Sequence, residues 1–387
     1  MADTHELHLP KVRVFRDRLH RRGAAAGERE KLTLGTPSET GIKPGTAVMM
    51  LGLVSLLGIT IVLIAFSFPA GVYSVFSGKL SQNVTYDSPI RPYFWIGPAI
   101  ALAPFMVSAG AVFVLFTAVY VLFFLYSLRQ REHFWSTLGR AFRTGSDALM
   151  SSPFIVVIVS IGFLTFTSTM IDDLVSSTGA PIGGPTGDPL ALLMGFVYAP
   201  LVEEIGFRVI LIGTVAFILS YGRPWRTALS ALWRPSNAAE GLAVGSGASI
   251  LIWAATSFSA VTFGACHVVC GNTWDLGKLP EAIYGGFVLG YLYVRYGLHV
   301  AVLAHWGVDF FGGVYAFFGQ AAYGIPWDST KEYLGQYLVD IDMLYLFGLA
   351  SFLLVVYLGL KKLTASRSRG TTGDFDKGVS AGGGVGT

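Results

Sequence analysis

Charge is in short supply in this 387-residue chain: only 13% of its residues are Asp, Glu, Lys or Arg, where a soluble domain carries about 25%. The shortage, beside 53% hydrophobic residues and a mean hydropathy of +0.58, excludes an ordinary soluble protein and leaves a membrane protein. The formal net charge is +3, too small to argue for a nucleic-acid partner. Cysteine is nearly missing as well. Cys266 and Cys270 are the whole complement, so no disulfide framework supports the fold. No signal peptide is expected, because the first apolar run begins near Ala47 behind a long basic segment and is too long for an h-region. No internal repeat and no prenylation motif are visible.

What is present is a series of apolar runs near the ~20 residues that a bilayer requires. About eight spans are expected: Ala47–Phe76, Phe94–Leu128, Leu149–Met170, Pro189–Tyr221, Ala248–Cys270, Glu281–Arg295, Leu298–Gly319 and Met343–Leu360. Pro98, Pro104 and Pro200 should bend or break theirs, since proline removes a backbone hydrogen bond. The predicted fold class is all-α, a polytopic transmembrane helical bundle spanning 44–362 with a functional core at about 189–319. Residues 1–43, with Lys11, Arg13, Arg16 and Arg18 among others, read as a basic polar cytoplasmic arm, anionic lipid being the alternative contact. The Gly- and Ser-rich segment 363–387 reads as a flexible tail.

The positive-inside rule orients the chain. Arg129, Arg131, Arg140 and Arg143 follow the second span, and Arg223, Arg226 and Arg234 follow the fourth. Arg295 closes the sixth, while Lys361, Lys362, Arg367 and Arg369 follow the eighth. The intervening loops carry Asp87, Asp172, Asp173, Asp188, Asp275, Asp328 and Asp340 and little Lys or Arg. Both termini are therefore expected in the cytoplasm of a cell-membrane protein. Asn83-Val84-Thr85 is a glycosylation sequon in a predicted outer loop, a triplet common by chance.

Ionisable groups inside an apolar span cost about 2.5–3.5 kcal/mol each on insertion scales and persist when paired or lining a polar cavity. Three separate spans hold such groups. In the fourth, Glu204 and Arg208 stand at i,i+4 and share a helix face, which permits an ion pair. Glu203 points elsewhere, with no built-in partner. A paired carboxylate can be a clasp between helices. An unpaired one in a low-dielectric site is the kind of group that takes a proton from water near neutral pH. In the fifth span His267 lies one turn beyond Phe263, and a lone intramembrane histidine is more often a packing residue than a catalyst. In the seventh, His305 and Asp309 are again i,i+4, and Gly307, Gly312 and Gly313 thin the helix for close approach of neighbours. Separate structural explanations for all three clusters are harder to sustain than one shared site. Together they hold what amide hydrolysis needs: a base for water, a proton donor and groups for an oxyanion.

These segments resemble the signature of the CAAX-protease and bacteriocin-processing family, also called the ABI family, of glutamate-type intramembrane endopeptidases. Its pattern is E-E-x-x-x-R, then F-x-x-x-H, then H-x-x-x-N or D, which stand here in order as Glu203/Glu204/Arg208, Phe263/His267 and His305/Asp309. The resemblance implies that Glu203 is a general base assisted by His267, and that His305 and residue 309 stabilise the oxyanion. It implies that Glu204 and Arg208 hold the framework and the substrate backbone. The eukaryotic Ras-converting branch has asparagine at the last position. An ionised Asp309 would repel an oxyanion, so it must carry a proton or serve by orienting His305, the role preferred here. The expected cofactor is none. Zinc on Glu203, His267 and His305 is the alternative, although H-E-x-x-H is absent. Cys266 and Cys270 read as small apolar packing residues.

Counting 1.5 Å per residue from the predicted cytoplasmic ends puts Glu203 and His267 on the order of 25 Å deep. His305 comes out shallower, unless the turn at Gly297 stops short of the surface. A site in the outer half fits exported proteins with C-terminal sorting signals better than prenylated CAAX proteins, which approach from the cytoplasm. A proton-coupled transporter, or a non-catalytic membrane scaffold built on the same polar helices, is the rival from another class.

Overall fold

The computed structural model describes residues 44–130, 134–144, 146–239, 247–270, 273–328 and 341–378. It is 78% helical with almost no sheet, a polytopic helical membrane bundle as the apolar runs imply. The expected basic arm lies outside the described residues.

The chain begins with α1 (Pro44–Phe76), followed by two small β-ladders, β1 (Pro89–Ile90) with β4 (Val107–Ser108) and β2 (Tyr93–Ile96) with β3 (Ala99–Leu102). Then come α2 (Ala109–Arg129), a short α3 (Phe134–Thr144) and α4 (Pro153–Ser177). A continuous helical stretch follows: α5 (Pro189–Glu203), a π-helix over Glu204–Gly213, and α6 (Thr214–Leu219). The short α7 (Trp225–Trp233) and α8 (Ser236–Ala239) precede α9 (Gly247–Val269) and α10 (Leu279–Tyr296). The last elements are α11 (Leu298–Trp306), a π-helix over Gly307–Phe311, α12 (Gly312–Tyr323) and α13 (Ile341–Gly378).

Six of these are long and apolar enough to cross a bilayer: α1, α2, α4, α9, the α11–α12 stretch and α13. The two expected spans that miss that criterion are the α5–α6 stretch, which carries Glu203, Glu204 and Arg208, and α10, which carries Glu281 and Arg295. Their polar content is the reason. Within the spans, 72% of the most apolar window of α4 and 67% of that of α11–α12 is buried, against 25%, 28% and 22% for α1, α2 and α13. The first two therefore form the centre, and the last three present Leu51, Phe66, Leu115, Leu122 and Leu353 outward, where acyl chains would meet them.

Lipid tails remove the hydrophobic incentive for helices to associate, so close packing must hold the bundle. Trp306, 1% exposed, stacks on Phe68 of α1 at 5.3 Å and on Phe310 at 5.2 Å and meets Phe124 of α2 edge-on. Each such pair contributes about 0.5–1.5 kcal/mol beyond buried area. Gly307 faces Ile161 of α4, where a β-carbon would collide. Gly313 packs on Phe196, but Gly312 faces open space, so only two of the three expected thinning glycines serve a close approach.

The second expected span requires correction. Residues from Phe94 to Ser108 are not helical; the helix starts at Ala109 behind the Ser108 cap. Gly97 (φ +59°) and Pro98 form the tip of the β2–β3 hairpin, in the register Tyr93↔Leu102 through Ile96↔Ala99. The hairpin lies against the α5–π stretch. The Gly97 N–H donates to Gly206 O at 3.3 Å. The Tyr198 hydroxyl accepts from the Tyr93 N–H at 3.0 Å and donates to the Tyr93 carbonyl. These bonds satisfy strand groups that a bilayer would leave unpaired. At the far end, α13 runs past Leu360 to Gly378, so residues 363–378, expected in a flexible tail, are helical.

Candidate active site

Both polar clusters of the core lie where α-helix passes into π-helix. Glu203 is the last residue of α5 and Glu204 the first of the π segment, three and four residues after Pro200. His305 ends α11, and Asp309 lies in the second π segment. Proline withholds an N–H from the ladder and Gly307 adds no side chain, which accounts for loosened turns at these places. Such π segments recur at functional sites.

The structure brings the three motifs together. His305 is the hub. Its Nδ1 lies 3.0 Å from Glu204 Oε1, and its Nε2 lies 3.4 Å from Asp309 Oδ2 and 3.8 Å from Glu203 Oε2. Glu204 is doubly engaged, with Arg208 Nε 3.2 Å from its other oxygen and both side chains fully buried. Arg208 donates from Nη1 to Ser259 Oγ at 3.3 Å, and Ser259 donates onward to the Phe207 carbonyl at 2.7 Å. The guanidinium also lies 4.6 Å from the centroid of the Phe263 ring. Glu203 has no hydrogen-bond partner among the described residues, since 3.8 Å is beyond bonding distance.

His267 joins from α9. Its Nδ1 lies 2.9 Å from the Phe263 carbonyl, which can only accept, so Nδ1 carries the proton and Nε2 of the neutral ring is an acceptor. Phe263 packs edge-on against both imidazoles, at 4.6 Å from His267 and 5.7 Å from His305.

A cavity of about 400 Å³ joins these groups. Glu203, His267, His305, Asp309 and Phe263 line it, with Tyr93 of the hairpin, Phe196 and Gly195 of α5 and, toward its mouth, Thr186, Thr273, Trp274, Lys278 and Glu281. Glu204 and Arg208 do not line it. Both side chains are completely buried behind its wall.

Three contributors were missed in the sequence. Ser259 stands one turn before Phe263 on α9, a spacing that would have flagged it. Tyr93 stands immediately before the Phe94–Leu128 run and carries no motif of its own, so nothing in the sequence marked it. Lys278, which pairs with Glu281 at 2.7 Å and with Asp172 at 3.7 Å, belongs to a short connection with no motif. Cys266 is buried and Cys270 half-buried, its thiol 4.0 Å from the Pro98 carbonyl. Among the described residues no three His, Cys, Asp or Glu side chains form a metal-ligating group.

Fold and site thus define a class, a helical membrane protein with a carboxylate–imidazole site enclosed between its spans. Residues 185–311 match the family of type II CAAX prenyl endopeptidases, Rce1-like, and all three motifs fall inside that match. The match supports peptidase activity of the CAAX intramembrane kind on membrane-associated proteins. Comparisons with curated proteins and with solved structures gave no match.

Proposed function

We propose that the chain is a glutamate-type intramembrane endopeptidase of the cell membrane, with Glu203 activating water for attack on a peptide carbonyl. The observation that carries this reading is that one cavity presents an unbonded carboxylate and two imidazoles held in different hydrogen-bonding states. Glu203 takes a proton from the water, and the resulting hydroxide attacks the carbonyl carbon. His267, with only its Nε2 acceptor free, holds the water's second hydrogen and aims its lone pair. The carbonyl oxygen becomes an oxyanion beside His305.

His305 gives one N–H to Glu204 through Nδ1, and the proton on Nε2 of the imidazolium is the donor for the oxyanion. Asp309, 3.4 Å away, keeps that N–H directed into the cavity. This answers the difficulty of an aspartate at the position: the positive charge of the ring beside it offsets the carboxylate where the oxyanion forms. Collapse of the tetrahedral intermediate breaks the C–N bond, and Glu203 returns its proton to the leaving amine. No step draws on a cofactor. Glu204 and Arg208 act as positioning residues, fixing the ring of His305.

The test is a membrane-wide comparison of protein termini by mass spectrometry in cells producing the wild type or Glu203→Gln, with a zinc chelator as a third arm. Termini that shift only in the variant support the reading. Unchanged termini with a folded protein present overturn it and leave transport or scaffolding. Loss of processing on chelation would point to the metal set instead.

A further inference from the structure

The charged side chains sort to the two ends of the bundle. One end is tied together by Tyr126 and His299, which pack against Trp233 at 6.0 and 5.6 Å, and by the Tyr296 hydroxyl, which donates to the Met150 carbonyl at 3.4 Å. Lys362 lines a crevice with the same Met150 and Tyr296. This end gathers Arg129, Arg140, Arg223, Arg226, Arg234, Arg295, Lys361 and Lys362. The opposite end is tied by the Ser81–Asp188 hydrogen bond, by Gln320 Nε2 donating to the Leu80 carbonyl at 3.0 Å, and by Gly277 N–H donating to the Pro181 carbonyl at 3.0 Å. Among described residues its bases are Lys79, Arg91 and Lys278, the last neutralised by Glu281 and Asp172.

The mouth of the catalytic cavity belongs to this second end. Pro185 and Thr186 come from the connection between α4 and α5, and Thr273, Trp274 and Lys278 from that between α9 and α10. No residue named at the basic end lines the cavity. The turn toward the basic end is closed: Gly297 (φ +107°) folds under the Trp233 carbonyl, and His299 through Ala304 are fully buried.

We propose that the cavity opens to the non-cytoplasmic face. Its substrate class is then an extended segment of an exported or membrane-anchored protein at that border, and not a prenylated cytoplasmic carboxyl terminus. Lys and Arg in short loops set orientation, whereas Asp and Glu contribute little, so the bases decide. The word substrate rests on the peptidase reading; the orientation does not.

A membrane-impermeant sulfonated maleimide tests the orientation on the full chain in intact cells, in a Cys270→Ser background that leaves only buried Cys266. Thr186→Cys, at the mouth, is expected to react from outside. Tyr221→Cys, 96% exposed at the basic end, should react only after the membrane is opened. The opposite pattern, or reaction of both in intact cells, overturns the proposal. If Thr186→Cys fails to react even in detergent, Thr273→Cys replaces it under the same criteria. The termini that depend on Glu203 supply a second readout. Termini confined to cytoplasmic prenylated proteins would refute the orientation and leave the peptidase reading standing. If no terminus shifts, the peptidase reading fails and the labelling alone decides the orientation.

Discussion

Glu203 and Glu204 are separated by one peptide bond and live in different chemical worlds. Glu204 is fully buried between Arg208 and His305, while Glu203 is 12% exposed, faces the cavity and is bonded to nothing among the described residues. The first belongs to a closed network running from Arg208 to Ser259, the second to an open cluster with His267 and Asp309. A closed network fixes geometry, and an open cluster keeps groups that can change protonation partners during a reaction. One dipeptide at an α-to-π transition supplies both, because successive residues on a helix point in different directions.

The comparison is broken most directly by Glu203→Gln. The open cluster predicts that cleavage falls by about 10²–10⁴-fold, the usual contribution of a general base, with the thermal midpoint in detergent unchanged. A lost fold would place Glu203 in the framework instead. Arg208→Ala is the mirror experiment. Removing one partner of a buried pair costs about 3–5 kcal/mol, so the variant should accumulate poorly and melt early. If it melts with the wild type and only cleavage suffers, the closed network is catalytic rather than structural.

Smaller effects sharpen the same contrast. His267→Gln keeps the Phe263 packing position but replaces the acceptor that aims the water. Cleavage should drop about 100-fold, the low end for an acid–base group, while stability holds. Asp309→Asn should be milder. An amide can still accept from His305 Nε2–H, so the loss in kcat should stay within about tenfold, or about 1.4 kcal/mol, and Asp309→Ala should lose more. Equal loss in both variants would assign Asp309 a charge-dependent role that hydrogen bonding alone does not explain.

Much of this was legible in the sequence because the bilayer penalises polar groups. Three clusters in apolar spans were conspicuous for that reason, and the i,i+4 spacing of Glu204 with Arg208 and of His305 with Asp309 foretold contacts that the structure makes. The partner of His305 Nδ1 was not legible, since Glu204 comes from another helix 101 residues away. The hairpin at Tyr93–Leu102 was misread because its residues are as apolar as a span; only Gly97-Pro98 and Pro104 betrayed it. The side of the membrane was not legible. Depth counting gave conflicting answers for Glu203 and His305. Only under the orientation proposed above would the covered turn at Gly297 account for the shallower one.

His299 shows what composition alone cannot rank. It lies on the same helix as His305 and is completely buried, yet neither ring nitrogen has a hydrogen-bond partner among the described residues. The ring stacks on Trp233 at an interplanar angle of 3° and meets Tyr126 edge-on at 4.8 Å. Its surroundings are those of an aromatic packing residue, and those of His305 are four ionisable side chains counted with Arg208 behind Glu204. His299→Phe keeps the stacked ring and removes two unsatisfied polar atoms. The variant should therefore be as stable as the wild type to within about 1 kcal/mol, or slightly more stable, with cleavage unchanged. His305→Phe makes the same chemical change six residues on and should abolish cleavage, since it strips Glu204 and Asp309 of their shared partner. If the two substitutions behave alike, the polar hub is not what distinguishes one buried histidine of this helix from the other.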